Sequence, residues 1–297
     1  MRIGDFFTKA ATFIVAIMIS GAAWAQDGIT GLESIGKPIP GGMGFQTAAT
    51  ELARDLQWLD GMINWIIGLI SLFVTVLLIW VIIFYNRRAN KVAARFTHHS
   101  TVEVAWTVIP ILILIVIGSF SLPILFKQLD IPESDLTIKV TGNQWYWSYE
   151  YPDFGFEFES YMIGTGEAGL TDAVKAELAE YGYAEDEYLL ATDNAVVVPI
   201  NAVVRLQIAS SDVIHSWAMP AFGVKMDAIP GRLNETWFAA EIEGVYFGQC
   251  SELCGKDHSY MPITVKVVSQ DVYEAWLKRA AEEFASLPTS ITVASAD

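Results

Sequence analysis

The sequence predicts a two-helix transmembrane hairpin followed by an all-β exported domain with a C-terminal helix. Three observations predict this fold class: two uncharged apolar runs, a basic loop between them, and short alternating runs in the second half of the chain. Charge divides the 297 residues at the same place. Residues 1–126 hold 8 Lys/Arg and 7 Asp/Glu, whereas residues 127–297 hold 10 and 27, a net charge of −17.

This charge balance limits the partners of the second half. Nucleic acid and anionic lipid surfaces are excluded because their phosphates would be repelled, and a basic partner is favoured. The chain has only two cysteines, which excludes a disulfide scaffold.

The first 25 residues are typical of a signal peptide. Arg2 and Lys9 are basic, and an apolar run follows over residues 10–19. Ala23-Trp24-Ala25 then matches a small-x-small cleavage site. An uncleaved short anchor is the alternative, although the run is too short to span a bilayer. Residues 26–60 are predicted to form an exported N-terminal segment, because their first half is rich in Gly, Pro and Thr.

Two apolar runs, Met62–Tyr85 and Val104–Phe126, define the predicted hairpin of residues 61–127. Each is long enough to cross a bilayer core of about 30 Å as a helix. The link between them carries four Lys/Arg, which places it on the cytoplasmic side and both ends of the hairpin outside. A buried core helix is the alternative for each run.

Glu103 lies at the cytoplasmic start of the second run. An acid at this position can simply stabilise the positive end of the helix dipole. Ionisable residues at membrane depth also mark ion paths, so a proton-uptake group is the second interpretation. The residues alone leave both open.

Residues 128–287 are predicted to form the exported domain, with a flexible tail over residues 288–297. Several short runs rich in branched and aromatic residues predict strands without helices between them, which is typical of a sandwich or a barrel. These runs cover residues 136–140, 203–208, 236–241, 245–247 and 263–268. A polar helix is predicted at residues 171–180, and an amphipathic one at residues 270–285 with Val272, Trp276, Ala280 and Phe284 on its apolar face.

The most informative stretch contains both cysteines of the chain. Cys250 and Cys254 are followed by His258 and Met261, and His215 follows an alternating run upstream. Two thiolates, two imidazoles and a thioether form a soft ligand set, which suits copper better than magnesium or calcium. Zinc is a weaker match because methionine is a poor zinc ligand.

Two thiolates can bridge two copper ions, so that each metal keeps one histidine and one weak ligand. Met261 and the backbone carbonyl of Glu252 are the candidates for the weak ligands. Bridging by soft sulfur keeps reorganisation small and suits electron transfer. A structural disulfide between Cys250 and Cys254 is the alternative in an exported chain.

These residues, together with the stretches Gln144–Glu150 and Gly223–Arg232, closely resemble the cytochrome c oxidase subunit II family in its alphaproteobacterial form. The resemblance covers essentially the whole mature chain. It implies a cupredoxin-like exported domain that holds the dinuclear copper A centre. The implied ligands are His215, Cys250, Glu252 through its carbonyl, Cys254, His258 and Met261. The Glu252 side chain is implied to ligate a magnesium ion shared with subunit I.

Further roles follow from the resemblance. Trp145 matches the residue where electrons enter, and Glu103 matches the mouth of a proton-uptake channel. The implied docking carboxylates for cytochrome c are Glu150, Glu159, Asp193 and Asp212. Two departures are visible: Asn143 stands where the family often has histidine, and the insertion of residues 164–180 has no clear counterpart.

The resemblance implies the electron-accepting subunit of a proton-pumping respiratory oxidase in the bacterial inner membrane, with its copper domain on the periplasmic side. Cytochrome c is the implied donor, and the haem of subunit I is the implied acceptor, where oxygen is reduced. The chain is an enzyme only as part of a complex with subunit I and other oxidase subunits. The rivals are a membrane-anchored copper chaperone or thiol reductase, a quinol oxidase subunit, nitrous oxide reductase and a disulfide-bonded receptor.

Overall fold

The two apolar runs form long helices. In the computed structural model, which describes residues 27–92 and 94–284, helix α1 spans Glu51–Phe84 and helix α2 spans Ser100–Leu129. Both are long and apolar enough to cross a membrane. Helix α1 begins inside the predicted exported segment 26–60, because its first turns are polar and do not register as an apolar run.

The helical pair forms one compact unit, Glu51–Ile131. Lys127 near the end of α2 forms ion pairs with Glu51 at 2.6 Å and Asp55 at 2.7 Å, both near the start of α1. The rings of Trp58 and Phe120 meet edge to face at 5.4 Å. These contacts join the start of one helix to the end of the other, as the predicted hairpin requires.

The other unit is a β-sandwich with two added helices. Its strands in chain order are β1 Ser34–Gly36, β2 Leu136–Asn143, β3 Tyr146–Tyr151, β4 Phe156–Ser160, β5 Val196–Pro199, β6 Val203–Ser210, β7 His215–Met219, β8 Val224–Ala228, β9 Asn234–Ala239, β10 Gly244–Cys250 and β11 Pro262–Val268. One sheet has the order β5-β11-β10-β7-β8, with β1 paired in parallel to β10. The other has the order β4-β3-β2-β6-β9.

Alternation along the strands explains how the sandwich buries its core. In β2 and β6 every second residue is buried, and the two strands pair in parallel from Leu136 opposite Val204 onward. Burying an aliphatic side chain of this size contributes roughly 1.5–3 kcal/mol. Aromatic rings fill the rest, with Trp147, Trp217 and Phe238 all inaccessible to solvent. The prediction of an all-β domain is confirmed, and the sandwich is the form it takes.

The five predicted runs lie in β2, β6, β9, β10 and β11. The other strands were not predicted, for identifiable reasons. Strands β5 and β7 are buried at every position, so they lack the alternation that marks a half-exposed strand. Strands β3 and β4 do alternate between buried and more exposed residues, so their pattern is present in the sequence.

Helix α4, Gln270–Phe284, confirms the amphipathic C-terminal helix but corrects its apolar face. Val272 is 39% exposed, whereas Tyr273 is buried together with Trp276 and Ala280. The Trp276 ring lies 5.3 Å from that of Tyr151 on β3. Residues on one face of a helix are separated by three or four positions in turn. The predicted face uses a spacing of four throughout and therefore omits Tyr273, which lies three residues before Trp276.

The insertion folds onto the sandwich. Helix α3 spans Asp172–Glu180 and is capped by Thr171, whose hydroxyl accepts from the Val174 N–H at 3.3 Å. Val174 and Leu178 are buried in a small cluster with Phe247 of β10. The signal peptide predicted at residues 1–25 and the tail predicted at 288–297 lie outside the described residues.

Candidate metal centre

The predicted ligands converge at one end of the larger sheet. His215 begins β7 and Cys250 ends the neighbouring strand β10, where Cys250 pairs with Trp217. Cys254 and His258 lie in the loop that leaves β10, and Met261 precedes β11. Two hydrogen-bonded strands therefore hold the first histidine and first cysteine, and the loop between β10 and β11 returns the other donors to them.

The donor atoms lie close together. The ligating atoms of His215, Cys250 and Cys254 are all within 4.8 Å of one another. The two Sγ atoms are 3.8 Å apart and both cysteines are free. Cys254 Sγ lies 3.5 Å from His258 Nδ1 and 3.5 Å from Met261 Sδ. The Glu252 carbonyl oxygen is 3.4 Å from Cys250 Sγ.

A carboxylate fixes the orientation of the first histidine. Asp212 Oδ1 lies 2.8 Å from His215 Nε2, while Nδ1 of the same ring lies 3.9 Å from Cys250 Sγ. A Cβ on Gly142 would lie 2.9 Å from the ring, so only glycine leaves room for it. Carboxylates that hold the second ring nitrogen are a usual feature of metal-binding histidines. The resemblance implies a docking role for Asp212, and in the sequence only its spacing of three from His215 indicates the contact with the ring.

The surroundings ionise the two thiols unequally. Burial opposes ionisation of Cys250, but hydrogen bonds with His215 and nearby backbone groups outweigh it and lower the pKa of this thiol to about 7. Burial raises the pKa of Cys254 to about 12, helped by the negative charge on Cys250. Burial also lowers the pKa of His215, yet Cys250 and Asp212 raise it overall. Two thiols, two imidazoles and a thioether at these distances fit copper by their softness.

Comparison with known proteins assigns the chain to a family. The model described as the cytochrome c oxidase subunit II periplasmic domain matches residues 136–268, and the one described as the transmembrane domain matches residues 38–124. The chain is 54% identical over 284 residues to cytochrome c oxidase subunit 2 of Cereibacter sphaeroides, covering 94% of this chain and 93% of that protein.

The chain belongs to the cytochrome c oxidase subunit II family. It is also 42% identical over 273 residues to a probable cytochrome c oxidase subunit 2 of Rickettsia bellii, covering 92% of this chain and 93% of that protein. The crystal structure of the periplasmic domain of subunit II of cytochrome oxidase from Bradyrhizobium japonicum is 50% identical, covering 52% of this chain and 99% of that one, with a TM-score of 0.44.

Family membership confirms several predictions. The chain is a membrane-embedded subunit of an oxidoreductase complex, cytochrome c oxidase, and its β domain is cupredoxin-like. The family and the His/Cys/Cys cluster together support copper binding.

In this subunit II, Trp145 adjoins the metal centre. Its indole N–H donates to the Cys254 carbonyl at 3.2 Å, and the Gln144 side-chain amide donates to the same oxygen at 3.0 Å. Half-buried Trp145 thus connects the domain surface to the cysteine loop through one hydrogen bond. Asn143 bonds Ser148 and Ser211 at 2.9 and 2.6 Å, so it ties β2 to neighbouring segments.

Glu103 lies in the first turn of α2, and its carboxylate accepts from the His99 N–H at 3.2 Å. The His99 ring accepts in turn from the Val102 N–H at 3.4 Å. This reciprocal arrangement caps the helix, so the first of the two interpretations describes what the side chain does here. Its role in proton uptake stays a prediction.

The four predicted docking carboxylates occupy different surroundings. Glu150 forms an ion pair with Lys139 at 2.7 Å, and Glu159 accepts from the Tyr161 hydroxyl at 2.6 Å. Asp193 accepts from the N–H groups of Tyr161 and Asn194 at 2.8 and 2.6 Å. Each of these acids already has a partner, as Asp212 does, and their role in docking stays a prediction.

Asp193 makes stability depend on pH. Burial raises its pKa from 3.8 to about 6, although the backbone N–H bonds oppose the shift. The folded state therefore favours the protonated acid, and stability falls as pH rises from about 4 to 6. Asp193→Asn lacks this titration and keeps an acceptor oxygen. We expect wild type to lose about 2 kcal/mol relative to this variant between pH 4 and pH 7.

Urea denaturation of the detergent-solubilised chain at several pH values measures the difference. Glu159→Gln is the control, because it also replaces a carboxylate by an amide, at an exposed position of the same domain. Parallel profiles for wild type and Asp193→Asn would contradict the prediction.

Proposed function

We propose that this subunit accepts electrons from a basic cytochrome c at a dinuclear copper A centre and passes them to haem in subunit I, where oxygen reduction is coupled to proton pumping. The observation that carries the proposal is the cluster of His215, Cys250 and Cys254 with His258 and Met261 beside it. When held by these residues, a copper pair would supply one-electron oxidation and reduction with little ligand rearrangement.

The residues of this chain have distinct parts in that function. His215, Cys250, Cys254, His258 and Met261 would hold the metals through their side chains, and Glu252 through its carbonyl. The Glu252 side chain is exposed, which suits the proposed magnesium site shared with subunit I. Asp212 keeps the ring of His215 turned with Nδ1 toward the thiols.

Trp145 and the acidic surface serve the donor side. We propose that electrons enter at Trp145, because its indole is bonded to the carbonyl of a cysteine ligand. The net charge of −17 over residues 127–297 supports a basic donor and predicts association that weakens with salt. Glu150, Glu159, Asp193 and Asp212 remain the proposed docking carboxylates, and Glu103 the proposed proton-uptake group. The location we propose is the bacterial inner membrane, with the β domain on the periplasmic side.

Copper stoichiometry with an electron spin resonance spectrum tests the proposal. We expect two coppers per chain, with one unpaired electron shared over both, in the purified full chain reconstituted in detergent. Cys254→Ser removes one bridging thiolate and should abolish the shared-electron signal. Asp257→Asn alters a half-buried residue of the same loop that is not among the proposed ligands, and it should keep the signal. One copper or none in the reduced and reconstituted wild type would contradict the proposal and favour a chaperone or a structural role.

A further inference from the structure

A pocket of about 810 Å³ lies beside Trp145. Four parts of the chain form its walls: residues 144–146 at the start of β3, residues 161–169 with the first part of the insertion, residues 188–189, and the loop residues 256–260 after the cysteines. The insertion therefore forms part of the pocket beside Trp145, where electrons are proposed to enter.

The insertion wall has a fixed position. Thr165 donates to the Met162 carbonyl at 2.5 Å, and the Glu167 N–H donates to the Gly164 carbonyl at 3.1 Å. Gly164 has a φ of +79°, and a Cβ there would lie 2.8 Å from Val174 of α3. Because α3 is itself buried against β10, the loop that carries Glu167 is held against the sandwich.

Five aromatic residues line the pocket. Tyr146 and Tyr161 stack at 4.6 Å, and Tyr188 and Tyr260 line other sides. Aromatic faces attract cations through their electron-rich surfaces. Lys256 already demonstrates this in the pocket, because its ammonium lies 5.2 Å from the centre of the Trp145 ring.

The charges of the lining leave one carboxylate uncompensated. Its charged residues are Glu167, Lys256 and Asp257. Lys256 pairs with Asp257 at 3.3 Å, whereas Glu167 is exposed and forms no ion pair with any residue in the described ranges. A carboxylate and aromatic rings in the lining of one pocket together suit an ammonium or guanidinium group.

We propose that this pocket receives a lysine or arginine side chain of the basic donor protein, and that Glu167 of the insertion is a specificity-determining residue for that donor. The inference rests on the proposed function, since it takes Trp145 as the point where electrons enter. It gives the insertion a role: the insertion carries the carboxylate that selects a cationic donor. The charge of −17 over residues 127–297 favours the same kind of partner.

Steady-state oxidation of a reduced cytochrome c of net positive charge by the purified oxidase complex tests the inference. Glu167→Gln should raise KM about 3-fold at low ionic strength with kcat unchanged, as expected for a single exposed ion pair. The effect should disappear at high salt. Lys256→Gln removes the cation that competes for the pocket and should lower KM. Glu180→Gln is the matched control, because it removes the same charge from an exposed position of the insertion outside the pocket.

Copper content and the electron spin resonance spectrum of each preparation are measured first. If wild type lacks the copper pair, the proposed function fails and the inference fails with it. If copper-replete wild type oxidises the cytochrome and Glu167→Gln has the same KM as Glu180→Gln, only the pocket inference is overturned. A lower kcat with unchanged KM in Glu167→Gln would also overturn it, because docking would then not be affected.

Discussion

Replacing Asp212 with asparagine is expected to weaken copper binding by about 10- to 100-fold. The carboxylate holds Nε2 of His215 at 2.8 Å and also accepts from the Gln144 N–H at 2.7 Å. It therefore fixes the ring and the start of the aromatic strand together. A neutral amide bonds the ring less strongly, so His215 would present Nδ1 to the metal for less of the time. Competition with a copper chelator measures the affinity in the purified chain.

Glu150→Gln separates this effect from docking. Glu150 is another predicted docking carboxylate, and its partner is Lys139, on the neighbouring strand. Both variants remove one negative charge from the domain, and we expect only Asp212→Asn to change copper affinity and the copper spectrum. If the two variants bind copper equally and differ from wild type only in KM for cytochrome c, Asp212 acts in docking alone.

Replacing Asp27 with alanine is expected to lower the free energy of unfolding of the β domain by about 3–5 kcal/mol. Lys266 in the middle of β11 is 3% exposed, and its ammonium pairs with Asp27 near the start of the described chain. The same ammonium lies 5.2 Å from the centre of the Tyr183 ring. Removing the carboxylate leaves a buried charge whose remaining contact with the ring does not neutralise it.

The double variant Asp27→Ala with Lys266→Met provides the control. It removes both charges and leaves an apolar side chain in the same space, so most of the lost stability should return. Urea denaturation of the full chain in detergent, followed by tryptophan fluorescence, measures both variants. Equal losses in the single and double variants would mean that the backbone of the N-terminal segment, and not the charge pair, provides the stability.

Much of the fold follows from local patterns. The hairpin can be predicted because uncharged apolar runs of this length are typical of membrane-spanning helices. Strands β2 and β6 can be predicted because one face of each strand is buried and the other is not. Strands β5 and β7 are hidden because burial on both faces removes the alternation. The pairing of β1 with β10 is hidden for another reason, since three residues carry too little pattern to predict a partner so far along the chain.

The candidate site, like the fold, contains features that the sequence predicts and others that only the structure shows. The residue types of Cys250, Cys254, His258 and Met261 indicate metal binding in the sequence itself. His215 comes near them because it begins β7, which pairs with β10. The residue type of an aspartate or glutamate does not indicate its role in the same way. The resemblance implies that Asp193 and Asp212 are docking carboxylates. The structure shows that each is also hydrogen-bonded to groups of the domain, and only the three-dimensional neighbours of a carboxylate reveal such contacts.

The pairing of β1 with β10 constrains how the protein is made. Ser34 lies before both membrane helices and its partner Val245 lies after them, and Asp27 reaches a lysine 239 residues away. Strands of one sheet must be on one side of a bilayer, so an even number of crossings has to separate them, and the hairpin supplies two. The sandwich is completed only after the parts of the chain on both sides of the hairpin have reached the same side of the bilayer. Until then strand β1 cannot pair with β10. Folding of the domain is therefore a late event in biogenesis.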